Sequence, residues 1–337
     1  MAKSVLCGSV NLATRDEVFR TVASIAGASM KRISDGETGK RAMWTDVQVP
    51  RFANLPQLEA VKVPGAPKPT FRLRSEADLG ALRFEFGYAE AAVESYGAFA
   101  ALKKEGVIPD STRFQVCLPT ITALSMYIDY ADVGGVLPLQ ERDLLKELRA
   151  ITAAIPHDQL AIQWDLAAEM AVVEGYLPNV FGDNASDMIE AVVRLGQAVP
   201  EDVEVGFHLC YGDEPGKDGL GHHFIEPKDT SQLVKFANEL AQRMPHRIGW
   251  IHMPVPIERD DDAYFMPLAD LRLGPSTELY LGLVHREDGV EGAQRRANAA
   301  AKYVSGFGVA TECGMGRDPR DAIPNLLRIH TEVVIPD

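Results

Sequence analysis

His208 and Cys210 stand two residues apart in the stretch Gly206-Phe207-His208-Leu209-Cys210-Tyr211-Gly212-Asp213. The apolar run that ends here reads as a buried strand, and residues two apart on a strand share a face. An imidazole nitrogen and a thiol therefore point to one place, a soft pair of the kind zinc prefers. Two ligands leave a metal site unfinished. A third candidate, Cys313, lies in Glu312-Cys313-Gly314-Met315-Gly316-Arg317, again just after a short apolar run. A lone cysteine is most simply a small buried apolar group. His-x-Cys joined to a second cysteine at another strand end favours metal instead, with a fourth position left for water or substrate.

Other groups have more than one reading. His252, in His252-Met253-Pro254, is open to service as a fourth ligand, as a polar acid or base facing a substrate, or as a partner that holds a ligand's tautomer. A hydrogen-bonded structural histidine is an equal reading. His222-His223 follow Gly219-Leu220-Gly221, a place from which His223 would cover a ligand, although adjacent histidines point apart. Glu37 and Asp165 sit at strand ends, where a carboxylate is costly unless it meets water, a cation or a donor. A substrate ammonium or an acid/base role accounts for them, and so does an ion pair to Arg32 or Arg41. His285 carries a weaker signal. Cys117 reads as core, and Asp260-Asp261-Asp262 as a solvated turn.

The elements that must position these groups alternate short β-like runs with amphipathic helical stretches. Strands are expected at Ser4–Gly8, Met30–Ser34, Arg113–Leu118, Leu160–Trp164, Val203–Leu209, Arg247–Ile251, Glu278–Val284 and Gly308–Thr311. Thr14-Arg15-Asp16-Glu17 is a capping box that opens a helix to about Ala26. Ser75 is expected to cap a helix to about Lys104, with Leu79, Leu82, Phe86, Ala89 and Ala92 at helical spacing. Further helices fall at about 139–154, 185–195, 230–244, 290–303 and 321–333. Residues 40–74 hold five prolines and no clean period, which predicts a long excursion over the mouth of the fold.

Eight strands, most followed by a helix, predict an α/β fold, a (β/α)8 TIM barrel, with residues 1–337 as one domain and the excursion after strand two. Ser9, Glu37, Asp165, His208, Cys210, His252, His285 and Cys313 all fall at or just beyond the C-terminal ends of expected strands, the face on which such barrels build active sites.

With 337 residues, 46% hydrophobic and 24% charged, the chain can bury a large core. A net charge of −14 without a basic run argues against nucleic acid or an anionic membrane as partner. Four scattered cysteines are too few for a disulfide framework and fit a reducing cytoplasmic setting. The start does not read as a signal peptide, and no apolar run approaches the length of a membrane span.

These residues resemble the superfamily of cobalamin-independent methionine synthase and uroporphyrinogen decarboxylase, in particular its zinc-dependent alkyl-to-thiol transferases. His208-Leu209-Cys210 with Tyr211 is similar to the family's motif after strand five, and Glu312-Cys313-Gly314 to its Asp-Cys-Gly after strand eight. Gly8-Ser9 resembles the Gly-Ser that holds the amino-acid part of the thiol, and Asp35-Gly36-Glu37 the His-Gly-Glu whose Glu contacts it. Asp165 falls on the family's strand-four Asp. The resemblance implies a zinc held by His208, Cys210 and Cys313, with Ser9, Glu37 and Asp165 on the polar end of the thiol. The methionine synthases add a Glu ligand after strand six, and here that place holds His252 or nothing.

The implied reaction is alkyl or methyl transfer to a small thiol. The donor would be a methylcorrinoid protein or a small methylated compound. The chain is about half the length of the full methionine synthase, so a folate donor does not follow. Two rivals are a metal-independent decarboxylase or lyase using Asp165 and His252, and a non-catalytic corrinoid- or thiol-binding protein.

Overall fold

The computed structural model describes residues 3–62, 68–182, 185–212, 214–215, 221–225 and 227–336. Seven parallel strands hydrogen-bond in chain order: Arg32–Ser34, Arg113–Pro119, Leu160–Leu166, Glu204–Leu209, Trp250–Pro254, Glu278–Val284 and Gly308–Thr311. Helices connect successive strands, the arrangement that parallel pairing requires. The helix Arg15–Ile25, which precedes the first strand, starts where Thr14 Oγ1 accepts from the backbone N–H of Glu17.

Side chains alternate along these strands. Ile162, Trp164 and Leu166, Val205, Phe207 and Leu209, and Leu279, Leu281 and Leu283 join the large core shared with the helices. The intervening positions face the other way and contribute to a second, smaller cluster of Val5, Cys7, Ala161, Trp250, Tyr280 and Ala310. Period two thus separates a wholly apolar face from one that mixes small, aromatic and polar groups.

The expected first strand is corrected. Ser4–Gly8 is not a strand: Ser4 makes single parallel bridges to Met30 on one side and Val309 on the other. Ser4 N–H donates to Ser29 O at 2.9 Å, and Val309 N–H to Lys3 O at 2.8 Å. The segment lies between the two edges of the sheet but pairs too briefly to count as an eighth ladder. The seven-stranded parallel sheet is therefore the observed architecture, rather than eight closed strands.

Two other boundaries move. The strand expected to end at Ile251 runs Trp250–Pro254, so His252 lies inside it. The helix expected from Ser75 begins at Tyr88. Before it, Leu82, Phe84 and Phe86 are buried while Arg83 and Glu85 are exposed, the alternation of an extended segment. Its backbone is held by side chains: Asp143 Oδ2 accepts from Phe84 N at 2.8 Å, and Gln48 Nε2 donates to Phe86 O at 3.1 Å.

Within residues 40–74, a 3-10 stretch Gly39–Gln48 leads into a short helix Val49–Ala53 and an antiparallel pair, Leu58–Val61 with Thr70–Leu73. Phe52 anchors this segment. It is buried and meets Phe71, Phe84, Phe86 and Tyr127 edge-on with centroids 5.3 to 6.4 Å apart. Truncating such a ring typically costs about 3–5 kcal/mol, so the excursion is pinned to the body of the protein.

The N-terminal end of the sheet is closed by a charged layer. Arg32 is 2% exposed and donates to Glu204 at 2.5 Å and to Glu278 at 3.0 Å. Its guanidinium lies 4.2 Å from the centroid of the Trp250 ring. Gly206 pairs with Trp250 in register, and a Cβ there would meet that indole at 2.0 Å. Glycine is what lets the ring lie across the strand. No helix among the described residues is long and apolar enough to cross a membrane.

Candidate metal centre and cavity

At the C-terminal end of the sheet, register does the first work. Asp165 pairs with His208, and His208 with His252, so three polar side chains on neighbouring strands reach the same level. Cys210 follows one residue beyond its strand and Cys313 two residues beyond the last strand. The two sulfurs lie 3.2 Å apart without a disulfide, and Cys313 Sγ is 3.7 Å from His208 Nε2. His208, Cys210 and Cys313 offer three donor atoms that all lie within 4.8 Å of one another. The sequence-expected triad therefore converges.

The chemistry of this donor set fits zinc. Two thiols and an imidazole line one cavity, and the Gly212 N–H donates to Cys210 Sγ at 3.3 Å. Burial, together with His252, pushes the pKa of His208 well below its ordinary value, so the ring is neutral and able to ligate.

His252 is placed behind His208, with 0% exposure. Its Nδ1 lies 2.7 Å from His208 Nδ1, and its Nε2 lies 3.1 Å from Thr311 O. Burial lowers its pKa to about 4, opposed by backbone carbonyl contacts, so it too is neutral at pH 7. It does not line the cavity that Cys210 and Cys313 face. Cys7, which the motifs did not single out, joins this group: Cys7, His208 and His252 form a second donor cluster. Its thiol pKa is raised by burial and then by Cys210 and Asp165. The available signal was its position two residues before Ser9.

The cavity holds about 440 Å³. Cys7, Ser9, Glu37, Asp165, His208, Cys210 and Cys313 line its polar part. Ser9 is clasped by the turn that carries Cys313: Met315 N–H donates to Ser9 O at 2.7 Å. A Cβ on Gly314 would sit 2.4 Å from Ser9 Oγ, so this turn tolerates no side chain there without moving Ser9.

The two carboxyl groups share the cavity. Burial raises Glu37 to about 7, with Arg41 opposing and Asp35 adding. Asp165 is raised well above its ordinary value by burial and then by Glu37, while hydrogen bonds from Gln163 and Trp44 oppose. Neither carboxyl takes the expected ion pair. Arg41 instead makes a two-pronged contact to Asp35 at 2.6 to 2.8 Å, and Arg32 lies at the opposite end of the sheet.

Trp44 was not foreseen, and nothing in the sequence marked it. It reaches in from the excursion with φ 49° and ψ −125°, a strained backbone for a residue other than glycine. Beside it, Thr45 Oγ1 lies 2.9 Å from Tyr127 Oη. Tyr127 donates to Asp46 at 2.6 Å, and Lys68 donates to the same carboxylate at 2.6 Å. Met43, Met126, Leu177 and Phe224 give the cavity an apolar rim.

His223 faces elsewhere. Its Nδ1 is 3.3 Å from Glu312 Oε2, and both line a neighbouring cavity of about 320 Å³ together with His285. His285 Nε2 donates to Val255 O at 2.8 Å. Asp213 and residues 216–220, part of the expected covering loop, lie outside the described residues. Cys117 is buried, with Gln115 and Gln163 each 3.5 Å from its sulfur.

No family model matches the sequence, and no curated protein matches it either. Solved structures do resemble it. A B12-independent methionine synthase from Shewanella sp. W3-18-1, in complex with selenomethionine, superposes with a TM-score of 0.63 at 15% identity, covering 98% of this chain and 95% of that one. A putative vitamin-B12 independent methionine synthase from Listeria monocytogenes gives 0.53 at 13%, covering 98% and 97%. The chain has a methionine synthase-like fold.

Proposed function

We propose that this protein transfers a methyl or other small alkyl group to a small thiol, with zinc held by His208, Cys210 and Cys313. The observation that carries the reading is the convergence of two thiols and one imidazole nitrogen on one cavity. The likeness in fold to two methionine synthase structures, over 95% or more of each chain, supports it, and supports the reading that residues 3–10 close the sheet into a single-domain (β/α)8 barrel. When bound, zinc supplies the positive charge that keeps a substrate thiol deprotonated at neutral pH.

The residues of the chain do the rest. Glu37 and Asp165, whose carboxyls burial drives up, hold the ammonium of an amino-acid-like thiol. That charge favours their ionised forms. Ser9, fixed by the 313–316 turn, orients the polar end of the same molecule. Met43, Trp44, Met126, Leu177 and Phe224 exclude water and receive the alkyl donor, either a small methylated compound or a corrinoid carried by a partner protein. An acid/base decarboxylase built on Asp165 and His252 is less well supported, because His252 does not line the cavity.

Metal analysis of the purified protein and turnover with small aminothiols and methyl donors test this. We expect close to one zinc per chain. In Cys210→Ser/Cys313→Ser we expect loss of that zinc and at least about a 10³-fold fall in transfer, since a Lewis-acid centre contributes several kcal/mol. A folded double variant with full activity would sink the proposal. Thiol binding without product in every donor pairing would favour a binding protein instead.

A further inference from the structure

We infer that His252 is a positioning residue: it fixes His208 in the tautomer whose Nε2 lone pair faces Cys210 and Cys313. The inference deepens the zinc reading, but its central claim concerns hydrogen bonds within the protein and stands apart from the metal.

The direction of the chain of hydrogen bonds follows from its anchor. Thr311 O is a carbonyl and only accepts, so the His252 Nε2 that lies 3.1 Å away carries the proton. In a neutral ring the other nitrogen is then an acceptor. His252 Nδ1 lies 2.7 Å from His208 Nδ1, so His208 Nδ1 must be the donor. His208 Nε2 is left with a lone pair, and it is this atom that lies 3.7 Å from Cys313 Sγ. The reverse tautomer of His252 would set its Nε2 lone pair against the Thr311 carbonyl and turn its Nδ1–H onto His208 Nδ1, which would move the His208 proton to Nε2. A lone pair facing a carbonyl at a residue that is 0% exposed is the costly arrangement.

In this arrangement His252 serves His208 as a hydrogen-bond partner, not as a second ligand. Cys7, His208 and His252 offer three donors close together, but the two Nδ1 atoms are engaged with each other. Thr311 also ties the relay to the third thiol. Its Oγ1 donates to Cys313 O at 2.6 Å, and Cys7 Sγ lies 3.5 Å from its carbonyl. One strand end therefore holds both the anchor of the relay and the loop of a ligand. Register alone brings His252 beside His208.

The test uses full-length protein labelled with ¹⁵N-histidine, freed of metal, at pH 7.5. Long-range ¹H–¹⁵N correlation spectra report which His208 nitrogen carries the proton. We expect Nδ1–H with an unprotonated Nε2 in the unaltered protein, a reading that needs no variant. His252→Asn keeps an acceptor near the Nδ1 position and is expected to hold the tautomer. His252→Leu removes the acceptor and is expected to release it. Zinc and cobalt affinity should fall about 10- to 100-fold in His252→Leu and largely recover in His252→Asn, along with the cobalt–thiolate absorption. An Nε2–H tautomer in the unaltered protein overturns the inference, and so does an unchanged tautomer in His252→Leu. The expected tautomer with no zinc binding by any form would leave the relay standing and defeat the metal reading instead.

Discussion

At the N-terminal end of the sheet, Arg32 lies buried between Glu204 and Glu278. At the C-terminal end, Glu37 and Asp165 are buried around one cavity, and the nearby Arg41, tied to Asp35, only partly offsets the cost at Glu37. The first end spends buried charge on complementary pairs, and its acid is driven down: burial would raise Glu278, but Lys31 and Arg32 bring it to about 2. The second collects like charges, and its acids are driven up. Such unmet groups are what a ligand is positioned to satisfy. The difference separates an end that holds the fold from an end that holds chemistry.

Arg32→Met should break the comparison most severely. Removing one member of a buried ion pair costs about 3–5 kcal/mol, read as a lower denaturation midpoint. Transfer activity at low temperature should persist, because the site lies at the other end. A loss of activity without loss of stability would mean that the two ends are coupled.

The next effect is a pair of opposite pH slopes. Glu37 ionises near 7 in the folded chain against an ordinary 4.5. Between those values the folded state binds more protons than the unfolded one, so stability falls as pH rises through that window. Glu278 ionises near 2 against 4.5. There the unfolded state binds more protons, so its contribution is full above about pH 4.5 and is lost as pH falls toward 2. Each is worth up to about 3 kcal/mol. Denaturation profiles from pH 2 to 9 should show a shallower upper slope in Glu37→Gln, where Asp165 supplies the remainder, and lose the lower slope in Glu278→Gln. A variant that leaves both slopes intact would refute the assignment.

The smallest expected effect lies outside both ends. Thr14→Ala removes the hydrogen bond that caps the Arg15–Ile25 helix and should cost about 1 kcal/mol, with metal content unchanged.

Much of this arrangement was readable in the sequence where a local pattern coincides with a structural cause. Short apolar runs marked the parallel strands, and a two-residue spacing put His208 and Cys210 on one face. The errors have physical sources. Leu79, Leu82 and Phe86 match helical spacing by accident, while Leu82, Phe84 and Phe86 match an extended one, and contacts from Gln48 and Asp143 decide between them. His252 was placed at a strand end because the apolar run appeared to stop at Ile251, and only register shows that it sits beside His208. Trp44 acts through a strained backbone fixed by tertiary packing, for which no local signal exists.

The short pairing of residues 3–10 has a consequence in time. Cys7 Sγ lies against Thr311 O, 304 residues away in sequence, and Ser9 O accepts from the Met315 N–H. Contacts of such separation form late, since local pairings close first and distant ones bear the larger search. On a ribosome, residues 3–10 would meet Ser29, Met30 and Gly36 early, while their contacts to Val309, Thr311 and Met315 would wait until nearly the whole chain had emerged. The cavity and its three donors would thus assemble as one of the last events of folding, once the two extremities of the chain meet.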